Sequence, residues 1–184
     1  MNDLRASQAR ADGTLSQSPP HSPPRWQVDV LDHRNPTVAL QLCGVMQEAQ
    51  AQEAALLRLH DSAAIVRTPD DIRTSPYFHL GVRSPAGQLL GACSVGADDE
   101  PGQLCIQLLV VLPSAQRQGI ARALLLAVLQ RGPQMGFSVA AAAANAPALA
   151  LYGSLGFVAY RWGTMGDEQL ALVKLRRMPG PDAA

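Results

Sequence analysis

LCIQLLVVLPSAQRQGIARALLLAVLQR, residues Leu104 to Arg131, is the stretch whose reading decides the fold. Its opening run, Leu104 to Leu112, is apolar apart from Gln107 and rich in Leu, Ile and Val. A run of that length closed by Pro113 predicts a strand buried on both faces. Gln116 to Ala121 read as a short polar turn around Gly119. A strongly periodic helix follows. Ile120, Leu124 and Val128 form one apolar row, and Ala121, Leu125 and Leu129 form the next. Arg117, Gln118, Arg122, Gln130 and Arg131 fall largely on the other side.

A strand that turns through a glycine into a helix presents unpaired N–H groups at the positive end of the helix dipole. Such a corner can hold an anion, and a glycine lets a ligand approach the backbone closely. Arg117 and Arg122 add positive charge nearby. On these residues alone a second reading stands beside it: an ordinary strand-turn-helix corner with solvated arginines.

Composition narrows the classes. The 184 residues suit one domain with a real core, and 47% hydrophobic against 16% charged residues is a globular balance. The formal net charge is zero, so no basic footprint argues for nucleic acid. No apolar run reaches the roughly 18 residues of a membrane span. The polar, Pro-rich start does not read as a secretory signal, which leaves a cytoplasmic location as the expectation. Cys43, Cys93 and Cys105 lack metal-ligand spacing and read as reduced, buried thiols. His21, His33, His60 and His79 are scattered, so no metal is expected.

Along the chain, residues 1–25 form a flexible tail with Ser-Pro-Pro at Ser18 and again at Ser22. Trp26 to Asp32 predict a first strand, and Asn35-Pro36-Thr37 start a helical region that runs with interruptions to about Leu59. Thr68, with Asp71 three residues on, predicts the cap of a short helix ending near Ser75. Tyr77 to Arg83 and Gln88 to Val95 predict a hairpin across Ser84–Gly87, followed by an acidic loop holding Asp98, Asp99 and Glu100. After the central helix come a strand at Phe137–Ala144 and a helix at Ala146–Ser154 with Asn145 as N-cap. Val158–Trp162 and Gln169–Leu175 close as a second hairpin, and 178–184 are a tail. This order predicts one mixed α/β domain, a central sheet flanked by helices.

Two motifs carry a resemblance. Pro113-Ser-Ala-Gln-Arg-Gln-Gly-Ile-Ala121 resembles the acyl-CoA-binding signature of the GCN5-related N-acetyltransferase (GNAT) family, with Gln116, Gly119 and Ala121 at its defining positions. Asn145-Ala-Pro-Ala-Leu-Ala-Leu-Tyr152-Gly-Ser-Leu-Gly156-Phe157 resembles the same family's later motif at the expected spacing. The resemblance covers about Tyr77 to Arg177 and implies a GNAT-like fold and an N-acetyltransferase domain over 26–177.

It further implies acetyl-CoA as co-substrate and an amine as acceptor. Backbone amides of Gln116, Arg117, Gln118, Gly119, Ile120 and Ala121 are expected to hold the pyrophosphate. Val110 and Val111 are expected beside the pantetheine arm, with a backbone N–H of that strand as oxyanion donor. Small side chains at Ala140–Ala144 suit the strand gap through which the family admits its cofactor. Asn145 matches the position that hydrogen-bonds pantetheine; it also reads as a simple helix cap, and the two roles can coexist. Tyr152 matches the family's general acid toward the CoA sulfur, and its alternative is a core residue. Many relatives carry a Glu at or before the central strand, where this chain offers Gln103 and Gln107. Neither amide serves as a base. Asp98, Asp99, Glu100 and His79 lie near, the acids reading as solvated, so a water-relayed base or a neutral amine is expected. A CoA-binding regulatory module that has lost turnover is the competing function. The acceptor class is open among small amines, peptide N-termini and lysines, and the resemblance leaves room for a homodimer.

Overall fold

The computed structural model of the chain describes residues 26–57, 67–166 and 169–179. The expected N-terminal tail lies outside the described residues, as does the end of the first helical region beyond Leu57.

The elements run β1 (Asp29–Val30), α1 (Pro36–Leu57), α2 (Pro69–Thr74), β2 (Phe78–Arg83), β3 (Leu89–Ala97) and β4 (Gln103–Val111). A short 3-10 turn (Pro113–Ala115) leads to α3 (Ile120–Arg131), β5 (Gly136–Ala142), α4 (Ala146–Ser154), β6 (Val158–Met165) and β7 (Leu170–Arg177). One seven-stranded sheet has the order β1-β2-β3-β4-β5-β7-β6. All its pairs are antiparallel except β4 with β5. The parallel pair follows from connectivity: α3 crosses over between these strands, as a parallel return requires.

The helices cover both faces. A Cβ built on Gly91 of β3 would meet Ile120 of α3, so the face carrying Gly91 and its partner Val82 is the α3 face. His79 lies three residues from Val82 on the same strand and therefore points to the opposite face. There its ring is bonded to Ser75, at the end of α2. α1 packs against α2 and against β3 and β4, so the first two helices share that side. The core between the layers includes Leu42 and Met46 of α1, Ile72 of α2, Leu124 and Leu125 of α3, and Leu80, Cys93, Ile106 and Phe137 of the sheet.

Local signals account for several boundaries. Thr68 and Asp71 form the expected capping box: the Thr68 hydroxyl accepts from the Asp71 N–H at 3.2 Å, and the Asp71 carboxylate accepts from the Thr68 N–H at 2.7 Å. Asn145 caps α4 through its Oδ1, which accepts from the Ala148 N–H at 3.2 Å. The apolar rows of α3 are buried at Ile120, Leu124, Leu125, Val128 and Leu129, whereas Arg117, Gln118, Arg122, Gln130 and Arg131 are exposed.

Other boundaries differ from expectation. The first strand is only Asp29–Val30, because β1 pairs solely with Gly81 and Leu80 at the sheet edge. α1 runs without interruption. Ile120 and Ala121 belong to α3 rather than to the turn. β6 and β7 are longer than expected because each pairs with the other along nearly its whole length. β4 is not buried on both faces throughout. Ile106, Val110 and Val111 are buried, but Gln107 is exposed and Leu108 and Leu109 are half-buried. The reason is a parting of the sheet beside this strand.

Candidate active site

β4 and β5 are hydrogen-bonded neighbours only from Gln103↔Gly136 to Ile106↔Val139. Beyond that point β4 stays with β3, with Val111 opposite Gly91, while β5 stays with β7, with Ala142 opposite Leu172. The two strands therefore separate over residues 107–111 and 140–142. A bulge contributes to the parting. Ser94 faces Leu108 and Val95 faces Ile106, so Gln107 is the extra residue on β4. Bulges bend a strand and sharpen its twist. Val110 and Val111 lie on the separated stretch, and Ala140 to Ala142 line the other side with small side chains. Backbone groups of β4 that would pair with β5 in a closed sheet have no strand partner on that side among the described residues, and such groups need one.

At the end of β4 the chain makes the anticipated turn. Arg117 has φ 59° and Gly119 has φ 87°, both left-handed, and α3 starts at Ile120. The Ala123 N–H donates to the Gly119 carbonyl at 3.0 Å, so the N–H groups before it precede the helical ladder. Left-handed residues interleaved with ordinary ones point successive N–H groups into one concavity, a geometry suited to phosphate. Glycine adopts φ 87° at no steric cost, with Asn and Asp the next most tolerant, and a Cβ placed there would project into open space. Gln116, Arg117, Gln118 and Gly119 are exposed around this concavity. The Trp26 indole N–H braces it from outside, donating to the Gln118 carbonyl at 2.8 Å. Arg122 reaches away to the Ser154 hydroxyl at 3.0 Å, tying α3 to the end of α4.

The second motif sits on α4. Tyr152 is buried, 5% exposed, with its ring 5.6 Å from that of Phe157. Burial pushes its phenol well above the ordinary tyrosine range, with smaller contributions from Cys93 and Glu53. The family model of the Acetyltransferase (GNAT) family matches residues 43–157, a span that includes the parted strands, the turn and Tyr152.

The chain belongs to the GNAT acetyltransferase family. Its fold is that of solved acetyltransferases. The ribosomal-protein-S18-alanine N-acetyltransferase of Escherichia coli superposes with a TM-score of 0.64 at 18% identity, covering 85% of this chain and 97% of that one. A Corynebacterium glutamicum structure described as histone acetyltransferase HPA2 and related acetyltransferase superposes at 0.68 and 17% identity, covering 86% and 99%. In sequence, the UPF0157 protein YqkA of Bacillus subtilis is 30% identical over 131 residues. That match covers 71% of this chain and 37% of the relative, so the chain spans little more than a third of that protein's length.

Within this GNAT scaffold the candidate bases are placed unfavourably. His79 is 2% exposed, and both ring nitrogens are engaged. Ser75 Oγ donates to the Ile72 carbonyl at 2.8 Å and so accepts from His79 Nε2–H at 3.1 Å. That leaves Nδ1 to accept from the Ser94 hydroxyl at 2.7 Å. Burial, with His33 and Arg67 nearby, lowers the His79 pKa to about 4. The imidazole is neutral and its lone pair is already used.

Asp98 corrects an expectation: it is not a solvated loop acid. Its side chain is 3% exposed, accepts from the Ser138 hydroxyl and lies 3.7 Å from the Lys174 ammonium. Burial pushes its pKa up, but the hydrogen bonds and Lys174 outweigh that and hold it below the usual carboxylate range. Glu100 accepts from the Gln103 amide. Glu100 is thereby held at the closed end of the β4–β5 pair, where Gln103 faces Gly136, and Asp98 sits against Ser138, the partner of Cys105.

Two residues that the sequence did not single out reach the site from α1. Gln52 Oε1 accepts from the Gln116 amide, and Glu53 Oε1 accepts from Asn145 Nδ2 at 2.9 Å. Adjacent residues of one helix thus touch both sides of the parting. The contacts span 64 and 92 positions, which no local pattern encodes. Among the described residues no helix is long and apolar enough to cross a membrane.

Proposed function

We propose that this chain transfers the acetyl group of acetyl-CoA to a primary amine, by direct attack of the amine on the thioester. The observation that carries this reading is the opening between β4 and β5 directly beside the left-handed turn at Arg117 and Gly119. The extended pantetheine arm of CoA can enter such an opening as a surrogate strand while the CoA diphosphate meets the amides at the start of α3.

In this reading the amides of Gln116 to Ala121 hold the pyrophosphate and Arg117 adds charge. Val110 and Val111 pair with the pantetheine arm, and one of their backbone N–H groups steadies the developing oxyanion. The Asn145 amide contributes a further hydrogen bond, because Nδ2 carries two N–H donors and Glu53 takes one. Tyr152 stands where the sulfur departs. With its phenol raised by burial it keeps its proton at every physiological pH. It therefore acts by donating a hydrogen bond that steadies the departing thiolate, while the proton the sulfur finally carries comes from the attacking amine.

A CoA-binding module without turnover is the second reading. It is favoured by one specific finding: the residue at the β4 bulge is Gln107, which cannot take a proton. Incubation of the purified chain with acetyl-CoA and a primary-amine panel, read as release of free CoA thiol, separates the two. Thiol release that depends on amine supports transfer; binding with no release supports the module.

A further inference from the structure

Transfer to an amine demands that a cation lose a proton before it attacks, and β4 supplies no group to take it. Of the described carboxylates, Glu53 alone hydrogen-bonds a residue of the candidate site, through Asn145 Nδ2 at 2.9 Å. Its charge is also close enough to disfavour ionisation of Tyr152. The side chain is exposed, and it pairs with no cation among the described residues. Its neighbour Gln52 bonds Gln116 on the other side of the parting, which fixes the last turns of α1 across the mouth. The other acids near the sheet are committed elsewhere, Asp98 to Ser138 and Lys174, Glu100 to Gln103 and Asp71 to Thr68.

We propose that Glu53 receives the acceptor: it binds the substrate as an ammonium ion and takes its proton, which restricts acceptors to amines that arrive charged. This rests on the acetyltransferase reading above. The ammonium donates to the Glu53 carboxylate and passes it one proton. The free amine then forms a C–N bond to the thioester carbonyl carbon. The C–S bond breaks with its electron pair on sulfur, the Tyr152 hydrogen bond steadies the thiolate, and the thiolate takes the second proton that the new amide nitrogen sheds. Glu53 returns its proton to solvent, so one proton is released overall. Asn145 orients the carboxylate with one N–H while its Oδ1 is anchored by the α4 cap.

The test uses the full chain and the isosteric Glu53→Gln variant, whose amide oxygen can still accept from Asn145. Acceptors are spermidine, phenethylamine, L-lysine and a peptide with a free N-terminus, with hydroxylamine as a nucleophile already neutral near pH 7. Acetyl-CoA binding is measured in parallel by calorimetry. The expected result is a loss of about a hundredfold or more in kcat/KM for whichever amine the wild type acetylates. Transfer to hydroxylamine and acetyl-CoA affinity should be retained, and Glu53→Asp should recover part of the amine rate. Equal amine rates in wild type and Glu53→Gln overturn the proposal, as does a parallel fall with hydroxylamine and acetyl-CoA binding, which marks a structural role. A wild type that binds acetyl-CoA but acetylates none of the amines also overturns it. A wild type that fails to bind acetyl-CoA removes the underlying reading as well.

Discussion

Asn145 and Glu53, 92 residues apart, share one hydrogen bond of 2.9 Å, and the same Asn145 side chain caps α4 at 3.2 Å through its other end. One amide thus fixes a helix start and holds α1 at the mouth of the parted strands. The sequence alone already lets capping and ligand contact coexist at Asn145, and in the structure the cap uses Oδ1 while Nδ2 faces Glu53.

Replacement of Asn145 separates its two tasks. Asn145→Ser keeps a capping oxygen, so the melting temperature should stay near that of the wild type, while Asn145→Ala should cost about 1 kcal/mol. Both lose Nδ2, and both should bind acetyl-CoA more weakly in calorimetry. Wild-type affinity in Asn145→Ser would mean that the residue is a cap alone.

Tyr152→Phe should lose a factor on the order of a hundred or more in kcat with acetyl-CoA affinity little changed. The hydroxyl is the only atom removed, and packing of the ring on Phe157 survives. An unchanged kcat would return Tyr152 to the core.

His79 makes stability depend on pH. Its folded pKa of about 4 lies below the 6.5 of an unperturbed imidazole, so between these values the unfolded chain binds the proton and the folded chain does not. Stability is therefore full above pH 6.5 and falls as pH drops toward 4, by at most about 3 kcal/mol from this group. Thermal melts of wild type and His79→Gln at pH 7 and pH 5 should show a shallower acid loss in the variant.

Much of the fold was legible because its signals are local. The Thr68–Asp71 box, the Asn145 cap and the rows of α3 each lie within a few positions, and each appears where the spacing puts it. The two motifs likewise located the turn at Gly119 and Tyr152. What escaped is long-range. The extent of β6 and β7 depends on their mutual pairing, and the burial of Asp98 depends on Ser138 and Lys174, 40 and 76 positions away. The place of Glu53 depends on where α1 ends in space rather than on any pattern around it. A helix surface dotted with Gln and Glu reads as solvated until its partners are seen.

The central claim is that the turn at Arg117–Gly119 and the parted strands hold acetyl-CoA. Calorimetric titration of the purified chain with acetyl-CoA and CoA, repeated on two variants, tests it most directly. Gly119→Asn tolerates the left-handed backbone yet adds a side chain in the ligand's path, and Gly119→Glu adds charge that repels phosphate. The account predicts one-to-one binding by the wild type, weakened in Gly119→Asn and lost in Gly119→Glu. No binding by the wild type, or undiminished binding by a folded Gly119→Glu, would contradict it.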